Sequence, residues 1–460
     1  MLVNRRQALA ILAGSAARPL VLFADEKPVF RLSTFSAEVT IPIGHPCMGG
    51  GISPAKSIED PLFANGFVLT GAGQPLVYVA VDWCEIRNDA YDRWRKLIAE
   101  TVGTDPARVL VSAIHQHDAP VADLTAQKLL DEYKCKGAIC DLDFHERAVQ
   151  RVAKAAKESQ NNSQPISHIG MGQAKVENVA SNRRYIDETG KIRYDRMSRA
   201  VDPKIRAAEE GTIDPYLKTL SLWNGEQPLA ALCAYATHPM SYYGNGGVSA
   251  DFPGLARKRR QVDDPKVLQI YLSGCSGNVT AGKYNDGNPA NRAVLADRLY
   301  SAMKQAWQAT KKQPLENIAF RNVPISLEAR NTQGFSNEEL VNWLKNDPKP
   351  FGQCLAALGL SWRKRVEAGQ PIHLPVIDFG AAQFAILPAE AYVEFQLFAQ
   401  KVRPEVFTVV AGYGECGPGY IPIERAWKEN DGNLSDWCWV NPGSQAKMEE
   451  AITKALMGGE

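Results

Sequence analysis

The 460-residue sequence has almost no charge imbalance, with 52 Lys and Arg against 51 Asp and Glu and a formal net charge of +1. Nucleic acid and anionic membrane, which are bound through broad basic fields, are therefore disfavoured as partners, and a small-molecule substrate is expected. Beyond the N-terminal segment no run approaches the ~18 uninterrupted apolar residues of a membrane span, so no transmembrane segment is expected in the mature chain. The nine cysteines show no CxxC or zinc-knuckle spacing, which argues against a cysteine-held metal. Cys135 and Cys140, either side of Lys136-Gly137-Ala138-Ile139, could close a small disulfide in an oxidising compartment. Most of the others lie in apolar runs and are expected as buried free thiols. Repeats, low-complexity blocks and an interdomain linker are also missing, and oligomeric state is left open.

Two common catalytic loops are missing too. The run Val267 to Leu272 reads as a buried strand and opens into Ser273-Gly274-Cys275-Ser276-Gly277-Asn278-Val279-Thr280. No Gly-Lys-Ser/Thr follows, so this is not a phosphate loop. Ser276 lies between Gly274 and Asn278, so it is not a nucleophile elbow either. Small residues after a strand do suggest close approach of backbone to a ligand.

At the N-terminus, Asn4-Arg5-Arg6-Gln7-Ala8-Leu9 precedes modestly apolar segments at 10–17 and 20–24. The paired arginines resemble a twin-arginine export signal, cleaved near Ala24, which implies a periplasmic or secreted protein. The alternative is a mildly basic tail. Residues 25–460 are expected to form one large catalytic domain.

What is present is a series of strands that end in polar, chemically able residues. Leu76 to Val81, a helix over Asn88 to Val102 with Tyr91, Trp94, Ile98 and Val102 on one stripe, and Val109 to Ile114 read as a βαβ crossover with parallel pairing. An α/β fold with mixed sheets follows. Residues 28–70 look irregular, residues 248–254 read as a glycine-bounded loop, and Glu328 to Gly369 reads as polar, helical and remote from the chemistry, with Ser336 and Glu339 as a capping box. The strand at Val109 breaks off into His115-Gln116-His117-Asp118, and an extended chain would put both imidazoles on one side. A second strand, after Leu229, runs into Thr237-His238-Pro239. A third, Phe379 to Leu387, ends at Pro388-Ala389-Glu390, and a fourth, Val406 to Ala411, leads on to Gly419-Tyr420. Each residue alone has an ordinary role in a loop, a helix start or the core. Together they offer imidazole, carboxylate and phenol oxygen, ligands that a borderline metal accepts.

These segments resemble the neutral (alkaline, non-lysosomal) ceramidase family. Ser112 to Pro120 is similar to that family's Thr-His-Thr-His-Ser-Gly-Pro segment, Asn182-Arg183 to its Asn-Arg-Ser-Pro segment, and Ala236-Thr237-His238-Pro239 to its second histidine motif. Ser249 to Gly254, Leu387-Pro388-Ala389-Glu390 and Gly419-Tyr420-Ile421 continue the match in the family's order. The resemblance implies one Zn2+ held by His115, His238, Glu390 and Tyr420, with His117 and Arg183 beside it and a lipid amide such as ceramide as substrate. Zinc acidifies water and polarises a carbonyl, His117 can exchange a proton with the leaving amine, and Arg183 and Tyr420 can support an oxyanion.

The sequence departs from the family in two places. Where ceramidases carry Gly-Asp-Val-Ser-Pro-Asn, this chain has Gly277-Asn278-Val279-Thr280-Ala281-Gly282, so Thr280 replaces a serine among the candidate catalytic residues. The match also stops short of the family's C-terminal immunoglobulin-like domain. Three readings follow: a zinc amidohydrolase, a zinc-bearing binding protein of the same fold without turnover, or a metal-free hydrolase centred on Ser276 or Thr280.

Overall fold

Three long pairs of strands run parallel, and a parallel pair needs a crossover to carry the chain back to its starting edge. In the computed structural model, which describes residues 29–458, each crossover is a helix. Leu76–Val81 passes through the helix Asn88–Val102 to Val109–Ala113. Gln227–Tyr235 passes through Asp251–Asp263 to Leu268–Ser273. Ala382–Ile386 passes through Val393–Val402 to Phe407–Ala411. Antiparallel strands widen these pairs into mixed sheets of five, five and four strands. This is the expected α/β class. The paired-arginine segment expected to direct export lies outside the described residues.

The sheets share one core. Phe67, Tyr78 and Leu110 of the first meet Leu222, Leu232 and Ile270 of the second and Phe384 and Val409 of the third. Helices cover the outer faces. The predicted stripe of Asn88–Val102 packs inward beside the helix Leu142–Ser159, and Gly103 ends the first helix in the left-handed conformation.

His145 sits in that layer at 1% exposure, with neither ring nitrogen hydrogen-bonded among the described residues and its ring 6.1 Å from that of Trp83. Burial lowers its pKa from 6.5 to about 4. The neutral ring therefore favours the folded state above pH 6.5, and that contribution, roughly 3 kcal/mol, is lost as pH falls through 4. Chemical denaturation between those pH values is expected to show a shallower acid loss in His145→Leu than in the parent. Equal slopes would contradict a neutral buried ring.

Several expectations are corrected. Residues 28–70 contain two eight-residue strands, Arg31–Glu38 and Phe63–Thr70, paired antiparallel. The second is buried on both faces, so it shows no polar alternation to read. The loop expected at 248–254 instead starts the helix Asp251–Asp263, whose first turn tolerates Pro253 because the proline replaces a backbone donor that has no partner there. The Ser336 capping box is present. The helix after it, Pro350–Glu367, is not at the surface: Cys354 to Arg363 are buried between the helices Asn337–Asn346 and Leu124–Glu132. Cys135 and Cys140 are both free; the Cys135 thiol faces the Leu344 carbonyl and the Cys140 thiol that of Asp123.

Candidate metal centre

The carboxyl ends of the three parallel pairs meet, and main-chain hydrogen bonds tie them together. Ala113 N donates to the Tyr413 carbonyl at 2.9 Å, Gly412 N to that of Ser273 at 2.8 Å, and Gly274 N to that of Tyr235 at 2.9 Å. Sites in α/β sheets open at such ends.

Each candidate side chain is delivered by its own device. His115 has φ of +67°, a left-handed conformation that is costly for a residue with a Cβ and often marks a functional site. This corrects the expectation of an extended strand carrying both histidines on one side: a turn at His115 brings its ring edge-on to that of His117, with centroids 5.0 Å apart. A short ladder pairs Ser181 with Thr280 and Asn182 with Val279. Beside it, Arg183 N donates to the Asn278 carbonyl at 2.7 Å and His238 N to that of Val279 at 2.9 Å, so both residues are held by one segment. Glu390 and Tyr420 are register partners in a two-residue parallel ladder, which puts their side chains on one face.

These devices converge on Glu390 Oε2, which is 3.1 Å from His115 Nε2 and 3.1 Å from His238 Nε2. The far side of each ring is fixed. His115 Nδ1 donates to the Cys84 carbonyl at 3.0 Å, and His238 Nδ1 to that of Ser276 at 2.6 Å. Both Nε2 atoms therefore turn toward one carboxylate oxygen, a grouping of donor atoms that could hold a metal ion. Tetrahedral zinc with bonds of ~2.0–2.1 Å would hold its ligand atoms ~3.3 Å apart, close to the separations found here. The donor set thus fits a divalent metal of the zinc type, with backbone carbonyls orienting both imidazoles.

The charges agree with this arrangement. Although burial opposes it, the two histidines hold the Glu390 carboxyl well below the usual carboxylate range. Burial and the Arg183 guanidinium push His238 down to about 4, while Glu390 keeps His115 above its ordinary value against the effect of burial. Burial and the two neighbouring imidazoles push His117 well down, so it stays neutral, with Nδ1 donating to the His115 carbonyl at 3.2 Å. Arg183 donates through Nη1 to the Tyr420 hydroxyl at 2.8 Å and lies 3.3 Å from His238 Nε2 through Nη2, while its Nε has no partner among the described residues.

Thr280 is not brought into this group. Its hydroxyl donates to the Met197 carbonyl at 2.8 Å, and Thr280 does not line the cleft. Asn278 is also used elsewhere: its Oδ1 accepts from Val393 N at 2.9 Å, capping the helix Val393–Val402, and its Nδ2 donates to Glu394. Ser276 shares a proton with the Tyr413 hydroxyl at 2.7 Å, both side chains fully buried.

Other residues of the centre had not been singled out. Cys84 lies within ligand distance of His115 and His117, although burial, with help from Glu85 and Glu390, raises its thiol pKa far above the ordinary value and disfavours the thiolate. Glu85 Oε1 is 3.9 Å from His115 Nδ1 and accepts from Trp437 Nε1 at 3.1 Å. The Tyr413 ring stacks on that of His115 at 4.2 Å. Cys84, Glu85 and Tyr413 all follow strand exits, at Val81 and Ala411, so the rule that found the histidines could have found them. Trp437 had no such signal.

A cleft of ≈ 280 Å³ opens over the cluster, lined by His115, His117, Arg183, Glu390 and Tyr420 and walled by Met48, Met197, Met240, Tyr243, Phe351 and Trp437. A larger cavity, ≈ 890 Å³ and lined by Phe63, Arg257, Val262 and Leu268 among others, does not reach the centre.

No protein-family model matches the chain, and no curated protein matches it in sequence. Solved structures do match in fold. A structure described as a ceramidase complexed with C2 superposes with a TM-score of 0.67 at 18% identity, covering 93% of this chain and 75% of that one. The neutral ceramidase from Pseudomonas aeruginosa superposes with a TM-score of 0.66 at 18% identity, covering 94% and 74%. The chain has the fold of these ceramidases, as the resemblance in its motifs implied.

Proposed function

We propose that the protein is a zinc-dependent hydrolase of N-acyl amides, with ceramide or a related lipid amide as the class its fold neighbours suggest. The observation that carries this reading is the single carboxylate oxygen, Glu390 Oε2, 3.1 Å from two Nε2 atoms that their own hydrogen bonds have turned inward. His115, His238 and Glu390 would hold the metal, with Tyr420 the fourth candidate ligand. When bound, zinc supplies a Lewis acid for the scissile carbonyl and lowers the pKa of water.

The chain's own residues supply the rest. Arg183 lines the cleft and is bonded to Tyr420, so its charge would support a carbonyl oxygen that becomes an oxyanion there. His117 is kept neutral, so it can take a proton from the attacking water and return it to the leaving amine. Asn278 and Thr280 are engaged in a helix cap and a loop contact and do not line the cleft, so this reading gives them no part in the chemistry; the zinc-bearing binding protein without turnover is the reading that the hydrolysis assay below separates from it. The metal-free reading gains no support, since Ser276 is bonded to Tyr413 rather than to a base. Export through residues 1–24 completes the proposal and is checked by N-terminal sequencing of the mature protein.

The test is metal content by elemental analysis, together with hydrolysis of N-acyl amides by the parent, His115→Ala and His238→Ala. One zinc per chain and chelator-sensitive turnover are expected in the parent, and neither in the variants. Stoichiometric zinc in both variants would refute the ligand set. Arg183→Gln is expected to keep its zinc and lose about 10²- to 10³-fold in kcat, the usual effect of removing an oxyanion donor. An unchanged kcat would remove Arg183 from the chemistry.

A further inference from the structure

A proton-transfer group works only while its ring keeps the angle that the reacting atoms require, and a misplacement of ~1 Å can cost ~10²-fold in rate. His117 has little of its own to hold it. It is half-buried, and among the described residues its ring makes a single hydrogen bond, the 3.2 Å contact of Nδ1 with the His115 carbonyl. One such bond leaves the ring free to swing about it, so packing has to fix the rest.

Three aromatic rings pack on His117. Those of His115 and His238, with centroids 5.0 and 6.0 Å away, belong to candidate metal ligands. The third is Tyr243, with its centroid 4.9 Å away and its plane tilted by 58°. Tyr243 is no candidate ligand, lines the cleft, and sits in the loop between His238 and the helix Asp251–Asp263.

That loop is tied down at several points. Asp118, the residue after His117, accepts from Gly244 N at 2.9 Å. Arg292, at the start of the helix Asn291–Gln308, donates through Nε to the Ser241 hydroxyl at 3.0 Å and through Nη2 to the Tyr242 carbonyl at 2.6 Å, with its guanidinium 3.7 Å from the Tyr242 ring. Asn285 Nδ2 donates to the Ser241 carbonyl at 2.6 Å, and Lys56 N to that of Gly246 at 2.8 Å. Gly244 and Gly246 supply φ of +90° and +92° for the turn. A side chain on a loop held in this way is presented as rigidly as one on a strand.

We propose that Tyr243 is a positioning residue whose ring holds the His117 imidazole in the orientation for proton transfer, and that Asp118 acts through it by tethering the loop. The role belongs to the aromatic face, not to the hydroxyl. This inference rests on the amide-hydrolase reading for the reaction in which the proton moves, but the order of the His117 ring can be read without turnover.

The parent, Tyr243→Phe, Tyr243→Ala, Asp118→Ala and the double variant Asp118→Ala/Tyr243→Ala are compared as purified, in metal content, in hydrolysis of a short N-acyl amide, and by nitrogen-edited NMR of histidine-labelled protein with His117 assigned through His117→Gln. Tyr243→Ala is expected to lose about 10- to 100-fold in kcat, less than the ~10²–10⁴ that a general acid–base group itself supplies, with KM and metal content unchanged. Tyr243→Phe should keep most of the parent's kcat. Asp118→Ala should lose several-fold, and the double variant should fall no further than Tyr243→Ala, because the tether works through the ring. In the NMR spectrum His117 should give one sharp Nδ1–H tautomer in the parent and Tyr243→Phe, and an averaged signal in Tyr243→Ala.

A Tyr243→Phe as slow as Tyr243→Ala, a change in KM or metal content in place of kcat, losses that add in the double variant, or a His117 ring as ordered in Tyr243→Ala as in the parent would each overturn the inference. If ring order is lost in Tyr243→Ala but the parent cleaves no amide, the hydrolase reading fails and the positioning role stands. If amides are cleaved and Tyr243→Ala changes neither rate nor ring, the opposite holds.

Discussion

Glu390→Ala is expected to lose its zinc and at least ~10³-fold in hydrolytic rate, since a Lewis acid supplies several kcal/mol of transition-state stabilisation. The reason lies in how much converges on this carboxylate. Oε2 faces both His115 Nε2 and His238 Nε2 at 3.1 Å, and Glu390 is 2% exposed, so no water-borne anion can readily take its place. Without it, two imidazoles face the buried guanidinium of Arg183, which repels any second cation. Glu390→Gln should fall nearly as far while keeping the shape of the site, because in the proposed centre the carboxylate charge would hold the metal. Elemental analysis and rate measurements on both variants check this. One zinc per chain in either would show that the imidazoles suffice, and the centre would have to be drawn again.

Arg87→Met is expected to cost about 3–5 kcal/mol of stability, the range for breaking a buried ion pair from one side. Arg87 is fully buried behind the centre. Its Nη1 donates to Glu85 at 2.7 Å, its Nη2 to the Gly417 carbonyl at 2.8 Å, its Nε lies 3.6 Å from Asp123, and its guanidinium packs 4.5 Å from the Trp439 ring. Methionine would keep the packing and leave two buried carboxyls without their cation.

Even with Arg87 present, burial raises both carboxyls, and Asp123 reaches about 7. For a carboxyl raised in the folded state, the stabilising contribution is complete below its unfolded value of ~3.9 and is lost as pH climbs through the folded value. The deficit of Arg87→Met should therefore be larger at pH 8 than at pH 6, where the neutral carboxyls need no partner. Urea unfolding at the two pH values reads it, and a deficit that is equal or reversed would show that the network is not held by charge. Because Glu85 also faces His115 and Trp437, the variant is expected to bind zinc less tightly as well.

Much of the site was legible before any coordinates, and for a local reason. A strand buried on both faces is an unbroken apolar run, so the point where it stops is visible. In a parallel pair that point is where sites form. His115, His117, His238 and Glu390 were found this way, and the same rule would have yielded Cys84, Glu85 and Tyr413 had it been applied to every exit. Thr280 was drawn in by the family pattern and proved to be bonded to Met197, because the direction of a hydroxyl on a short ladder depends on which loop packs beside it.

The sequence by itself determined the α/β class, the crossover units and the inventory of ligands, since these follow from hydrophobic period and residue chemistry within short windows. Only the tertiary structure decided which of those groups meet. His238 and Glu390 are 152 residues apart, and Arg183 and Tyr420 are 237 apart. It also decided that Phe351, on a helix read as remote, lines the cleft. Such distances are set by how three twisted sheets pack across a common core, a balance of many weak contacts that no short stretch of chain encodes.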